Sequence, residues 1–320
     1  MQMKNYTLFC GSLLLFLCHW QGNAQQEATY TLYRYHMNIL NPAVTGTQGA
    51  PYLNMSLRSQ WVGVEDAPET QAISVGLPHK NNKRLGTGFT VVNDKSFVEN
   101  NTQFFLDFSY HLPLAKERSL FLGLKAGGTT NRLTAASLKT YGSSSADPLF
   151  FDNSSFIPNV GVGVYYHSPN YFLSVSMPRL LNTERYDRDN GQLTQATDRP
   201  HVYVTTGFTA ELNSSWTFNP SVLLGAVAAA PIDFLMDARF TYKENWDIGA
   251  HYTNSGGIGG TTAFRLPNGM QFGYAYVTGF EDQVSHFSKG THELFLKIKL
   301  GNGPAEAPEE LPEENESNEE

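Results

Sequence analysis

The chain has 320 residues, 41% hydrophobic and 13% aromatic, with a formal net charge of −8 at pH 7. That acidity belongs to the tail: Gly301 to Glu320 holds eight Glu and no basic residue, and without it and Lys4 the balance is 22 acidic against 21 basic side chains. No basic surplus points to a nucleic-acid partner, and no apolar run reaches the ~18 residues a membrane-spanning helix needs.

In chain order, the first element reads as an export signal over residues 1–24. Lys4 gives the positive start, Leu8 to Leu17 a short apolar run, and Gly22-Asn23-Ala24 a small-x-small cleavage pattern, so the mature chain is expected to begin at Gln25. Both cysteines, Cys10 and Cys18, fall inside it. The mature chain then carries no thiol, disulfide or thiolate metal site. Leu17 stands where lipidation of Cys18 would want a small residue, which argues against a lipid anchor.

Residues 25–52 are rich in Tyr and have no clean period. They read as an ordered lead-in or a plug inside a lumen, with a disordered leader equally open. Asn41-Pro42 is a turn and Gly46 a break. Leu53, Met55 and Leu57 then alternate with Asn54, Ser56 and Arg58, which predicts a strand. Arg58-Ser59-Gln60-Trp61-Val62-Gly63 and a loop with Pro68 follow.

One grammar repeats from Leu53 to Leu300: short segments alternating apolar and polar, separated by turn residues. The pattern predicts fourteen strands, near 53–61, 71–77, 85–93, 102–111, 119–127, 159–167, 171–177, 201–212, 216–224, 232–243, 246–253, 259–266, 270–278 and 291–300. In the tenth, Ile232, Phe234, Met236, Ala238, Phe240 and Tyr242 share one face. Asp233, Asp237, Arg239, Thr241 and Lys243 share the other, with Leu235 the one exception. Charges keep to one face because Lys or Arg facing mid-bilayer lipid costs ~2–4 kcal/mol. Glycines recur on the polar face, at Gly86, Gly88, Gly123, Gly127, Gly161, Gly163 and Gly273, where a curved sheet would crowd. Aromatics near segment ends suggest interfacial girdles: Trp61, Tyr110, Tyr165, Tyr166, Trp216, Tyr242, Trp246, Tyr252 and Tyr276. With an exported N-terminus, the even connections are short and several odd ones long (128–158, 178–200, 279–290), as expected of inner turns and outer loops. The fold class is all-β: a single transmembrane antiparallel outer-membrane β-barrel of about 14 strands over 53–300. A disordered acidic periplasmic tail follows over 301–320. A soluble β-sandwich is the competing fold, since alternation alone does not tell lipid from a protein core.

These elements, in this order, resemble the PorP/SprF family of type IX secretion system membrane proteins. The family opens with Asn-Pro-Ala-x-x-Gly, then Arg-x-Gln-Trp-x-Gly and an Ala-Pro-x-Thr step. The positions carrying that signature here are Asn41, Pro42, Gly46, Arg58, Gln60, Trp61, Gly63 and Pro68. Further matches run from Leu85-Gly86-Thr87-Gly88 through Pro158-Asn159-Val160-Gly161 and Arg199-Pro200-His201 to Gly290-Thr291-His292-Glu293-Leu294. Val44 and Thr45 stand where the family often has Tyr and Ala. The resemblance implies a non-enzymatic component of the secretion and gliding machinery. It would export or anchor cargo such as adhesins with C-terminal sorting domains, and meet periplasmic ring and peptidoglycan-associated partners. The alternative is a passive channel or small-solute transporter.

The sequence holds no His-Glu-x-x-His pair, Gly-x-Ser-x-Gly elbow or phosphate loop. No catalytic residue, cofactor or metal is therefore expected. Asp187-Arg188-Asp189-Asn190-Gly191 resembles half a calcium loop, but its glycine comes one position early, and an outer loop turning at Asn190-Gly191 fits better.

Overall fold

A computed structural model describes residues 30–79, 84–134, 153–189, 192–254, 257–279 and 288–301. The export signal, residues 135–152 of the 128–158 connection, the 190–191 turn and the tail beyond Gly301 lie outside these residues. Three 3₁₀ turns come first: Tyr33–Tyr35, Met37–Ile39 and Pro42–Val44. Strands follow: β1 (Tyr52–Ser59), β2 (Glu69–Pro78), β3 (Leu85–Ser96), β4 (Glu99–Ala115), β5 (Arg118–Leu133), β6 (Asn153–Ser168), β7 (Tyr171–Met177), β8 (Thr183–Asp189), β9 (Gln192–Asp198), β10 (His201–Phe208) and β11 (Ala210–Glu211). The last six are β12 (Trp216–Val227), β13 (Asp233–Tyr242), β14 (Trp246–Thr253), β15 (Gly257–Arg265), β16 (Gln271–Thr278) and β17 (Thr291–Lys299).

Each strand pairs antiparallel with its neighbour, and β1 pairs with β17. On the other side β10 joins β7 to β12, and β11 continues its line along β12. The sheet therefore closes as a barrel of fourteen strands, each matching a predicted segment. β7 and β14 keep their predicted bounds, and β4 and β5 run several residues longer. Closure leaves no open edge in the membrane, where an unpaired backbone amide would cost several kcal/mol.

The pattern of exposure decides between lipid and a two-layer core. On β4, Phe104, Leu106 and Phe108 are exposed while Phe105, Asp107 and Ser109 are buried. On β1, Met55 and Leu57 are exposed while Asn54, Ser56 and Arg58 are buried. An apolar face turned outward around a closed ring, with charges inside, is a surface made for acyl chains. No helix among the described residues is long and apolar enough to cross a membrane.

Two sequence expectations are corrected. Tyr165 is no girdle residue: it points inward, tilted against Phe121 and Phe172. The 178–200 connection carries a hairpin of its own, β8 paired with β9, outside the barrel sheet. Its Thr, Gln and Asp-rich strands lack the alternation that marked the others.

The two ends differ. Tyr52 and Lys299 face each other at one end, and Leu300 N–H donates to Pro51 C=O (2.7 Å). The connections β2–β3, β4–β5, β6–β7, β11–β12, β13–β14 and β15–β16 lie at this turn end. The long β5–β6, β7–β10 and β16–β17 connections lie at the opposite, loop end.

Candidate functional site

Residues 30–45 lie inside the barrel, buried against its wall. Their backbone closes i→i+3 bonds, among them Tyr35 N–H to Leu32 C=O (3.0 Å) and Leu40 N–H to Met37 C=O (3.1 Å), the short-range pattern of 3₁₀ turns. Nearly every side chain from Tyr30 to Thr45 is buried. Tyr33, Met37, Ile39, Leu40, Ala43 and Val44 pack with wall residues Val92, Tyr165, Phe172, Leu223 and Leu235. This explains Leu235, the apolar exception on the polar face of β13. Leu32 and Tyr35 form a second cluster with Ala263, Ala275 and Phe295, where the Tyr35 and Phe295 rings stack at 4.2 Å.

Polar anchors fix the segment at three heights. Toward the loop end, the Glu293 carboxylate, 1% exposed, accepts from the backbone N–H groups of Thr31 (2.8 Å) and Leu32 (3.0 Å). His36 lies 3.5 Å and Arg58 4.0 Å from the same carboxylate. In the middle, the Tyr33 hydroxyl donates to Ser221 (2.8 Å); nearer the turn end, the Tyr35 hydroxyl donates to Asp247 at the start of β14 (2.8 Å), which also accepts from Thr241 (2.7 Å). Arg239 sits over the Tyr35 ring, 5.0 Å from its centroid. Toward the turn end, Asn41 caps the third 3₁₀ turn: its Oδ1 accepts from Ala43 N–H (2.9 Å). Its Nδ2 donates to Ser174 Oγ (2.8 Å) and Val164 C=O (3.0 Å).

Four of the recurring glycines acquire a specific reason here. A Cβ on Gly163 would lie 1.9 Å from Asn41 Oδ1, and one on Gly123 would lie 2.1 Å from the Ala43 nitrogen. Gly86 and Gly88 give the same clearance to Thr45. Gly46 turns with φ +82° against Gly86, a conformation only glycine adopts without strain. A separate buried pair, Lys125 and Asp107 (2.8 Å), spans β4 and β5 inside the wall, and Thr90 Oγ1 donates to Asp107 (2.7 Å).

The eight signature positions divide between two places. Asn41, Pro42 and Gly46 lie inside, against the glycine track, and Arg58 reaches the Glu293 anchor. Gln60, Trp61, Gly63 and Pro68 form the β1–β2 loop. There Gln60 N–H donates to Pro68 C=O (2.9 Å), and Val62 exchanges backbone bonds with Gly290 (3.0 Å) and Lys289 (2.7 Å). Phe97 N–H donates to Asp66 C=O (3.0 Å), so this loop ties the β3–β4 and β16–β17 connections together. Trp61 (φ 48°) and Gly63 (φ 102°) hold left-handed backbone in its turn. Sequence reasoning missed Glu293, Tyr33, Tyr35, Asp247, Asp107 and Lys125. The inward charges of β4, β5, β14 and β17 were visible, but not what they hold.

Among the described residues no group of three or more His, Cys, Asp or Glu could hold a metal ion. The sequence pattern of the type IX secretion system membrane protein PorP/SprF matches residues 22–298. The chain belongs to the PorP/SprF family. This makes it an outer-membrane β-barrel component of the type IX secretion system. A comparison with curated proteins gives no match. Among solved structures, the chain is similar to a FadL homologue of Pseudomonas aeruginosa (TM-score 0.47, 9% identity, covering 81% of this chain and 92% of that one). It is also similar to CymD, a monoaromatic hydrocarbon channel (0.47, 10%, 87% and 96%), and to the NanC porin (0.37, 11%, 78% and 100%). At these values the likenesses carry no functional argument. Within this PorP/SprF chain, the plug anchors and the knitted β1–β2 loop are the two arrangements through which signature residues can act.

Proposed function

We propose that this PorP/SprF barrel works at its two ends and not through its lumen. It is a non-enzymatic anchor that helps export or hold a secreted cargo bearing a C-terminal sorting domain, such as a gliding adhesin. The observation that carries this reading is the occupied interior: residues 30–45 lie buried inside the ring of strands, held by Glu293, Ser221, Asp247 and Ser174. A closed ladder of fourteen strands resists pulling, because no strand can leave without breaking two sets of backbone bonds. The loop end faces outward in this reading, and the β5–β6 and β7–β10 connections meet the cargo, since long loops on a rigid scaffold carry binding. The turn end faces the periplasm, where short turns meet the ring and peptidoglycan-associated components. Residues 1–24 direct export and are removed.

Two measurements test the proposal together. The purified barrel in a planar bilayer is expected to show no steady open conductance. Deletion of its gene is expected to remove a cargo from the secreted and surface proteome. A large steady conductance with an unchanged secreted proteome would establish the passive channel instead.

A further inference from the structure

At the turn end, on the β4–β7 side, part of the inner wall stays open below the plug. The strand register shows where the plug stops. Gly123 and Gly163 lie side by side on β5 and β6 and carry Asn41, Pro42 and Ala43. The next inward row toward the mouth holds His111, Phe121 and Tyr165, and the row after it His167 and Phe172. Their rings form a connected wall. His111 stacks on Phe121 at 4.5 Å, and Tyr165 meets Phe121, His167 and Phe172 at 6.1, 6.0 and 6.2 Å. Although they point inward, His111 and Phe121 are half-buried and His167 is exposed, so solvent reaches this wall.

One plug side chain comes down to it. Arg34 places its guanidinium carbon 3.9 Å from the centre of the Phe172 ring. Its Nη1 finds the Met37 sulfur, a weak acceptor, at 3.6 Å, and its Nε is enclosed without a hydrogen-bond partner. Among the described residues no carboxylate comes within 4.0 Å of it. Asp247 is occupied by Tyr35 and Thr241, and Asp237 stands two residues from Arg239 on the inner face of β13. The Phe172 ring answers part of the charge. A largely enclosed guanidinium with donors to spare still favours an anion, because an unpaired charge away from bulk water is costly.

We propose that Arg34 and this aromatic wall form a binding recess, entered from the turn end, for an organic carboxylate on an aromatic or apolar body. The carboxylate takes the planar Arg34 fork, whose donors suit two oxygens. The body lies along Phe121, Tyr165 and Phe172, where ring faces and edges favour another ring. Such a carboxylate comes from a free aromatic acid or from the C-terminal residue of a peptide. The recess stands whether or not the barrel serves secretion.

The test uses the full-length protein in neutral detergent, with phenylacetate as the probe and 2-phenylethanol as its uncharged counterpart, both followed by calorimetry. Phenylacetate is expected to bind at least about tenfold more tightly than 2-phenylethanol, and Arg34→Gln to weaken it by about 10- to 100-fold, the loss expected of one charge-assisted hydrogen bond. Arg34→Lys keeps a point charge without the fork and should fall between. On the unmutated protein, saturating phenylacetate is expected to slow trypsin cleavage after Arg34, while cleavage after Arg118, exposed at the start of β5, keeps its rate. That arm stands even if the variants fail to fold. A peptide ending in Phe that binds more tightly than phenylacetate assigns the recess to a chain terminus; equal or weaker binding assigns it to a free acid. No binding of phenylacetate, equal binding of the two probes, or an affinity that ignores Arg34→Gln would each overturn the proposal.

Discussion

Replacing Glu293 with Ala is expected to free the first half of the plug while leaving the barrel closed. The carboxylate is fully enclosed and answers four groups at once: the N–H of Thr31, the N–H of Leu32, Arg58 and His36. Its loss leaves Arg58, 7% exposed, with no other carboxylate within 4.0 Å among the described residues. Removing one partner of a buried pair costs about 3–5 kcal/mol, because the remaining charge has no compensation. Each orphaned backbone N–H adds about 1–3 kcal/mol if the plug stays in place. The terms overlap, and swinging residues 30–40 away from the wall relieves all of them, so the cost appears as plug release. A shift of 3–5 kcal/mol multiplies the released population by about two to three and a half powers of ten. Trypsin cleavage after Arg34, which lies in the enclosed segment, reads that population when opening is fast relative to cutting. Conductance in a planar bilayer reads the opened lumen. Glu293→Gln keeps one oxygen for Thr31 or Leu32 and should fall between. The pair Arg58→Met with Glu293→Leu should recover part of the closed state, since neither charge is then left alone. If Glu293→Ala is cut after Arg34 no faster than the parent and stays silent in the bilayer, the anchor does not hold the plug and the reasoning fails.

Three further outcomes follow from the same geometry. Gly163→Ala and Gly123→Ala should each destabilise the plugged state by about 1–3 kcal/mol, seen as faster cleavage after Arg34, because the added Cβ would meet the Asn41 Oδ1 that caps Ala43 N–H in the one case and the Ala43 backbone in the other. Gly260→Ala, whose nearest neighbour is 3.8 Å away, should stay within about 0.5 kcal/mol of the parent in the same assay. Leu124→Lys on the lipid face should cost about 2–4 kcal/mol in reversible unfolding into denaturant, whereas Leu114→Lys at the turn-end limit of β4 should cost about 0–1 kcal/mol. Lys125→Met should cost about 3–5 kcal/mol in the same titration by stranding Asp107, and adding Asp107→Leu should return part of it.

The wall of the barrel was legible because each strand must satisfy two solvents at once. A strand between lipid and a polar interior writes its period into the sequence, as β13 does with Met236, Ala238 and Phe240 outside and Asp237 and Arg239 inside. Ends were less legible: β5 runs on through Thr129, Asn131 and Leu133, past the point where lipid imposes the alternation. The hairpin β8–β9 left no trace because its strands, outside the barrel sheet, read as loop.

The interior was illegible for the opposite reason. A segment enclosed on every side needs no stripe and no period; it needs side chains that are apolar in the body and polar at the tip. Tyr33 and Tyr35 meet that need, with rings in the apolar clusters and hydroxyls on Ser221 and Asp247. Without a period, composition alone left plug and leader equally open. The deciding information sat in the wall. Inward charges such as Glu293, Asp247 and Arg239 cannot rest in a narrow closed space without partners. Glycines at Gly123 and Gly163 leave room for something as thick as a backbone. Taken together they describe the negative of residues 31–46, and Asn41, the signature residue that touches Gly163, is where the two halves of that description meet.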